Sequence, residues 1–290
     1  MTSTAGFTVL GASGFIGRHL VERWRADGHA VFAPARGDRR LYERPLGHAI
    51  YAIGITADFR GRPFETMDAH VSVLGEILRR AEFDSFTYLS STRVYAGASS
   101  TSETAELRVN PADPGDLYNL SKLAGEALCL AQPDDRIRVA RLSNVYGPDM
   151  DGGPFASQNF LAAVIREALL DGQLRLRTAL HSAKDYIAVD DVRRAVQRIA
   201  THGRARLYNV AAGRNVSHAE IADALARITA CGVSVEPGAP ETAFPLIDTR
   251  RIAELFTPPE APWKPAKLLR QLPRLFSGPH RIQAVAGGIG

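Results

Sequence analysis

Two cysteines in 290 residues, Cys129 and Cys231, leave the chain without a disulfide framework. Each sits in an apolar helical or strand-like run, so a reducing cytoplasm is the expected setting. No apolar run approaches the roughly 18 residues needed to span a bilayer, and no secretory apolar segment opens the chain. A membrane is therefore not an expected partner. Charge of one sign is scarce as well: 35 Lys and Arg against 31 Asp and Glu leave a net +4. The arginines are scattered, which speaks against nucleic acid and suits an anionic small molecule equally well. His19, His29, His48, His181, His202 and His218 show no ligand-like spacing, so no metal site is expected. Internal repeats and low-complexity segments are missing too. What remains is long enough for one large domain, or a main domain with a smaller lobe.

Phe7 to Leu10 is a short apolar run ending at Gly11-Ala-Ser13-Gly14-Phe15-Ile16-Gly17. A helical pattern follows, with Ile16, Leu20, Val21 and Trp24 on one face and Gly28 as its stop. Strand, glycine turn and helix N-terminus aim free backbone N–H groups and the helix dipole at one spot, which suits a dinucleotide pyrophosphate. The alternative is a tight turn with a purely structural role. A second strand, Ala30 to Ala35, should end beside the adenosine ribose. An acid there would favour NAD, but the stretch reads Pro34-Ala35-Arg36, and Arg36 could meet a 2′-phosphate. NADP is therefore the preferred coenzyme and NAD the alternative. A solvated basic loop explains Arg36 as well.

The next strand, His48 to Ile53, follows so closely that a strand or helix of the usual crossover must be shortened or missing. A helix is expected over Thr66 to Ala81, with Val71, Leu74, Ile77 and Leu78 inward. A strand over Phe86 to Ser91 runs into Thr92-Arg93-Val94-Tyr95. A hydroxyl at the carboxyl end of a central strand, Ser91, lies where open α/β sheets bind ligands. Pro111, Pro114 and Gly115 break the chain before Tyr118-Asn119-Leu120-Ser121-Lys122. Four residues apart on a helix, Tyr118 and Lys122 share a face. An ammonium beside a phenol favours the phenolate and makes it a usable acid or base next to an alcohol or ketone. Alone, the same residues suit an exposed helix turn. A further strand, Ile137 to Leu142, leads to Ser143-Asn144-Val145-Tyr146-Gly147-Pro148.

Taken in order, these residues resemble the extended short-chain dehydrogenase/reductase superfamily, its nucleotide-sugar epimerase, dehydratase and reductase group. The likeness runs from about Phe7 to Leu255. It is carried by Gly11, Gly14 and Gly17, Ser90-Ser91 before Val94-Tyr95, Tyr118 with Lys122, and Arg141 to Pro148. Lys184-Asp185-Tyr186-Ile187 before Asp190-Asp191, and Tyr208-Asn209-Val210 before a helix, complete it. The resemblance implies a Rossmann-type doubly wound parallel α/β sheet with a smaller C-terminal substrate-binding lobe. Expected boundaries are 1–146 for the dinucleotide-binding domain, 147–184 and 211–276 for the lobe, 185–210 for a return to the main domain, and 277–290 for a tail.

It also implies roles. Ser91 would bond the substrate oxygen, Tyr118 would be the acid/base, and Lys122 would lower the pKa of Tyr118 and hold the nicotinamide ribose. The stretch Gly11, Ser13, Gly14, Phe15, Ile16 and Gly17 would cradle the coenzyme, with Arg36 at its adenosine end. Thr92, Asn144 and Lys184 would face the substrate. Arg250 or Arg251 would replace a phosphate-gripping arginine whose place is held here by the neighbourhood of Glu236. Thr92 and Arg93 stand where 4,6-dehydratases carry carboxylates, which rejects dehydration, and His70 stands where an asparagine is usual. Asp190-Asp191 reads as a helix N-cap and Ser217 with Glu220 as a capping box. After the prolines from Pro258, a basic amphipathic docking helix is expected to run to Phe276. The resulting expectation is an NADP-preferring ketoreductase of a nucleotide-linked deoxysugar or similar carbonyl compound, acting as a homodimer. The alternatives are a sugar-nucleotide epimerase with tightly held NAD, and a catalytically silent dinucleotide sensor.

Overall fold

The computed structural model describes residues 6–148, 160–259 and 261–275. Strand β1 (Phe7–Leu10) leads through the glycine turn into α1 (Phe15–Ala26), and β2 (Val31–Phe32) and β3 (His48–Tyr51) follow. Next come α2 (Pro63–Met67), α3 (Val73–Arg80), β4 (Ser85–Ser91), α4 (Leu117–Leu130), β5 (Ile137–Leu142) and β6 (Asn144–Tyr146). The remainder is α5 (Phe160–Leu170), β7 (Gln173–Leu176), β8 (Ala183–Ala188), α6 (Val189–His202), β9 (Leu207–Val210), β10 (Asn215–Ser217) and α7 (His218–Thr229). β11 (Gly232–Val235), α8 (Arg250–Ala253) and α9 (Leu268–Leu275) close the series.

Six strands form one parallel sheet in the order β2-β1-β3-β4-β5-β9. The order reverses between β1 and β3, and that switch point is where open α/β sheets leave a crevice for ligands. One face of the sheet packs on α1 and α6, joined by Trp24, which is fully buried, stacks on Phe7 at 4.2 Å and donates its indole N–H to Gln197. Burying such a side chain contributes about 1.5–3 kcal/mol. The other face carries Leu74, Ile77 and Cys129 from α3 and α4 against Tyr51, Phe86, Tyr88 and Val139 of the strands. The doubly wound parallel arrangement is as the sequence implied. A separate apolar cluster joins Leu161 and Ile165 of α5, Leu174 and Leu176 of β7, Ile221 and Leu225 of α7, and Leu268 and Leu272 of α9. Helix α9 is thus the expected docking helix as far as Leu275, while Phe276 and the tail lie outside the described residues.

Several elements differ from the sequence reading. The second strand spans only Val31–Phe32, because Pro34 has no N–H to donate and β2 is the edge of the sheet. The β2–β3 crossover holds a single 3₁₀ turn, Arg39–Tyr42, so an element is indeed missing there. The helix expected over Thr66 to Ala81 starts at Pro63, where a missing N–H costs nothing. It is interrupted by a π-helical turn over Asp68–Ser72 before α3 resumes. Asp190 and Asp191 are not the cap of α6: Ala188 holds that position, and the two carboxylates occupy the first turn, where the dipole favours them. The Ser217–Glu220 capping box on α7 is present in both directions.

Candidate active site

Gly11 follows β1 with φ +87°, and a Cβ there would fall 2.7 Å from the Ala52 carbonyl carbon. A Cβ on Gly17 would collide with the Gly11 oxygen. The turn therefore folds tightly at the switch point with bare backbone, and only glycine fits. No side chain caps α1 at Gly14, so the N–H groups of Phe15, Ile16 and Gly17 in its first turn are open to an anion. A dinucleotide pyrophosphate fits this cradle, with Ser13 exposed at its lip. Beyond β2, Arg36 is exposed on the connecting loop. Its neighbour Asp38 is engaged by the Arg40 side chain and backbone N–H, which holds the carboxyl below its usual range.

Two short polar devices steer the chain into α4. The Asp113 carboxylate accepts from the Gly115 N–H, and the Asp116 carboxylate accepts from the Asn110 N–H and the Asn119 amide. One turn later Tyr118 is 5% exposed, in contact with Phe59 at 5.6 Å and edge-on to His70 at 5.6 Å. Ser91, the last residue of β4, brings its hydroxyl near enough to the Tyr118 hydroxyl to act on its pKa. Its Oγ accepts from the Arg93 N–H at 3.2 Å. Burial pushes the Tyr118 phenol up, while the Ser91 hydroxyl and the Arg93 charge pull it back. Lys122 is 4% exposed and donates to the Leu89 carbonyl at 3.0 Å, its Nζ 6.0 Å from the Tyr118 ring centre. Burial lowers its pKa to about 7, partly offset by Glu126. Arg93 is a further cation near the phenol, its guanidinium carbon 5.4 Å from the ring centre, which the sequence reading did not name.

Beneath the pair runs a hydrogen-bonded chain that the sequence did not announce. The Ile55 N–H donates to His70 Nε2 at 3.3 Å, and His70 Nδ1 meets Ser121 Oγ at 2.8 Å. The Ser121 hydroxyl donates to the Tyr118 carbonyl at 2.8 Å. With that proton spent, Ser121 can only accept from His70, so the ring is neutral with its proton on Nδ1. Burial, reinforced by the Lys122 charge, lowers the His70 pKa to about 3, which agrees with a neutral ring. The π turn carries His70 on the same helical stretch that follows α2, and π turns of this kind recur at functional sites. The one signal in the sequence was a histidine standing where an asparagine is usual. Phe59, in an irregular stretch, gave none.

The remaining expected residues divide into two groups. Thr92 is buried beside Ser91. Asn144, at the start of β6, donates to the Asp185 carbonyl at 2.8 Å. Lys184, half-buried on β8, stands 5.9 Å from the Phe160 ring centre and 5.6 Å from that of Phe244. Burial, then the Arg93 charge, lowers its pKa. Arg250 is not drawn inward: its guanidinium binds Asp248 bidentately and is 86% exposed. Glu236 pairs with Arg177 at 3.6 Å. Among the described residues no group of His, Cys, Asp and Glu is arranged to hold a metal ion, and no helix is long and apolar enough to cross a membrane.

A glycine-turn Rossmann sheet, with Ser91 at the carboxyl end of β4 and buried Tyr118 and Lys122 on the helix beside it, defines a nicotinamide-dinucleotide class of fold and site. The chain belongs to the NAD dependent epimerase/dehydratase family, which it matches over residues 7–61 and 48–211. It is 29% identical over 270 residues to the UDP-glucose 4-epimerase of Mycolicibacterium smegmatis, across 79% of this chain and 83% of that one. It is 26% identical over 176 residues to GDP-mannose 3,5-epimerase 1 of Oryza sativa subsp. indica, across 49% of this chain. That match spans about half the length of the rice protein, 47%. In fold it is similar to RMD from Pseudomonas aeruginosa complexed with NADPH, with a TM-score of 0.74 at 23% identity over 94% of this chain and 98% of that one.

Proposed function

We propose that the chain is a nicotinamide-dependent oxidoreductase that reduces a keto group on a nucleotide-linked sugar or a similar carbonyl compound. The observation that carries this reading is the Tyr118 phenol, buried with the Ser91 hydroxyl of the carboxyl end of β4 acting on it, one helical turn from Lys122. The bound coenzyme supplies the hydride. Ser91 then orients and polarises the carbonyl oxygen, and Tyr118 gives that oxygen its proton. The phenolate left behind is stabilised by the Ser91 hydroxyl and by the Arg93 charge. Lys122 holds the nicotinamide ribose, Asn144 faces the substrate phosphates, and Lys184 faces the substrate. Thr92 and Arg93 supply no carboxylate for proton removal, so 4,6-dehydration is rejected. A silent sensor would have no use for the buried Ser91–Tyr118 pair.

The test is Tyr118→Phe, which keeps the ring contacts with Phe59 and His70 and deletes the hydroxyl. On an accepted keto-sugar nucleotide its rate should fall about 10²-fold or more with melting unchanged. A wild-type rate would overturn the reading. Epimerisation is the second reading, favoured by the similarity to a UDP-glucose 4-epimerase over most of the chain. It would turn over without net consumption of added coenzyme.

The coenzyme is proposed to be NADP, because Ala35 offers no carboxylate, Asp38 is engaged by Arg40, and Arg36 has no ion-pair partner among the described residues. NADPH should bind more tightly than NADH in fluorescence titrations, and Arg36→Ala should cost NADPH about tenfold or more while sparing NADH. Equal affinities would remove the preference. We place the enzyme in the cytoplasm as a homodimer. We assign residues 1–146 and 185–210 to coenzyme binding, with 147–184 and 211–276 covering the substrate.

A further inference from the structure

Arg93 is built into the site with more contacts than its charge effect on Tyr118 requires. Its guanidinium carbon lies 5.4 Å from the Tyr118 ring centre and 5.1 Å from that of Phe59, and its Nη2 donates to the Gly115 carbonyl at 3.2 Å. These contacts fix its position, yet none neutralises its charge. Arg60 approaches the same ring, with its guanidinium carbon 4.6 Å from the Phe59 centre. Its Nη2 would be 3.3 Å from a Cβ placed on Gly115, so both guanidinium groups meet at one corner. Lys184 brings a third cation from the opposite lobe, and the Arg93 charge reaches it. The Asp116 and Asp113 charges reach Arg93 through space, but both carboxylates bond neutral donors, Asp113 the Gly115 N–H and Asp116 Asn110 and Asn119, and neither contacts the guanidinium. Among the described residues neither Arg93, Arg60 nor Lys184 forms an ion pair. Holding half-buried guanidinium charge without a carboxylate is costly unless an anion arrives.

Resting on the oxidoreductase reading above, we propose that Arg93, with Arg60 and Lys184 at its rim, is a subsite for a carboxylate carried by the sugar that reacts, making the substrate a nucleotide-linked uronate rather than a neutral hexose. Position separates this carboxylate from the nucleotide phosphates. The guanidinium carbon is 5.4 Å from the ring centre of Tyr118, whose hydroxyl serves the reacting oxygen. An anion that meets it there is carried by the reacting ring, a ring's width from phosphates attached at the anomeric carbon. Arginine also suits a carboxylate geometrically, because its planar fork can donate two parallel hydrogen bonds.

The experiment is calorimetric titration of the coenzyme-loaded protein with matched pairs, UDP-glucose against UDP-glucuronate and GDP-mannose against GDP-mannuronate. In at least one pair the acidic member should bind about tenfold or more tightly. Arg93→Met should remove most of that advantage and leave the neutral member within about threefold, and Arg60→Gln, at an exposed position, should remove part of it without a folding risk. Equal binding of acidic and neutral members overturns the uronate subsite and leaves the oxidoreductase reading standing. Equal loss of both members in Arg93→Met also overturns it, because Arg93 then serves the diphosphate. Failure of every member of both pairs to bind overturns the nucleotide-sugar reading and the subsite together. Melting curves of each variant separate these outcomes from misfolding.

Discussion

Lys122 is where burial and chemistry oppose each other. An ammonium enclosed beside Tyr88 and Leu89 loses hydration, and its pKa falls to about 7 from 10.5. Between those values the unfolded chain binds more protons than the folded one, so this residue makes stability rise with pH across that window. Below about pH 7 both states are protonated and the whole cost is present, at about 1.4 kcal/mol for each tenfold loss of proton affinity. Lys122→Met removes the cost and also the hydrogen bond to Leu89, which contributes about 1 kcal/mol. The coenzyme-free variant should therefore be more stable than wild type at pH 6, by at most about 4 kcal/mol, with the difference shrinking toward pH 10. Urea denaturation at several pH values measures it. A variant less stable than wild type at pH 6 would show that the ammonium is better solvated than its enclosure implies.

Helix α4 joins Tyr118 and Lys122 to the sheet through a buried polar network at its next turn. Glu126 is 2% exposed and Arg141 4% exposed, and the guanidinium meets both carboxylate oxygens, with its Nη2 at 2.6 Å from Oε2. The Ser90 hydroxyl donates to the same carboxylate, one residue before Ser91. From the other end of Arg141, Nη1 donates to the Tyr95 hydroxyl, which donates onward to Asn209 on β9. The network ties α4, β4, β5 and β9 into one register and thereby sets where Ser91 and Tyr118 meet. Glu126→Gln leaves Arg141 as an uncompensated buried charge and should cost about 3–5 kcal/mol. Denaturant unfolding checks this, and a loss below about 1 kcal/mol would mean that the network is not holding the register. The π turn acts at the same scale, since it puts His70 beneath Tyr118.

Across the protein as a whole, apolar side chains remain on the surface of the helices that flank the site. Phe64 is 83% exposed on α2, while Met67 and Val73, at the end of α2 and the start of α3, are each 37% exposed; Leu130 on α4 is 39% exposed. Leu123 and Leu128, by contrast, are partly spent on the interior. A second copy covering these residues is the proposed homodimer, because exposed apolar side chains are stabilised by burial. Light scattering at micromolar concentration should give twice the chain mass, and Phe64→Asp with Met67→Glu should shift it toward the monomer. A wild-type monomer would rule the dimer out.

Local spacing along the chain was enough to read the sheet, the glycine cradle and the Ser91, Tyr118 and Lys122 set. A strand-turn-helix pattern, a hydroxyl at a strand end and an i, i+4 pair are each legible within a few residues. The missing element between β2 and β3 was legible as mere shortage of chain. That Arg93 also reaches the phenol emerged only from the folded arrangement. Lys122 shares the Tyr118 helix face and bonds Leu89, while Arg93 arrives from the turn after β4 and is braced by Phe59 and Gly115. Folding likewise bonds Asp191 to Ala266 and Arg194 in place of a capping role, and leaves Arg250 bound to Asp248 at the surface. The physical reason is common to these cases. A charge goes where its hydration is best replaced, and the groups that replace it come from distant parts of the chain that no local pattern brings together.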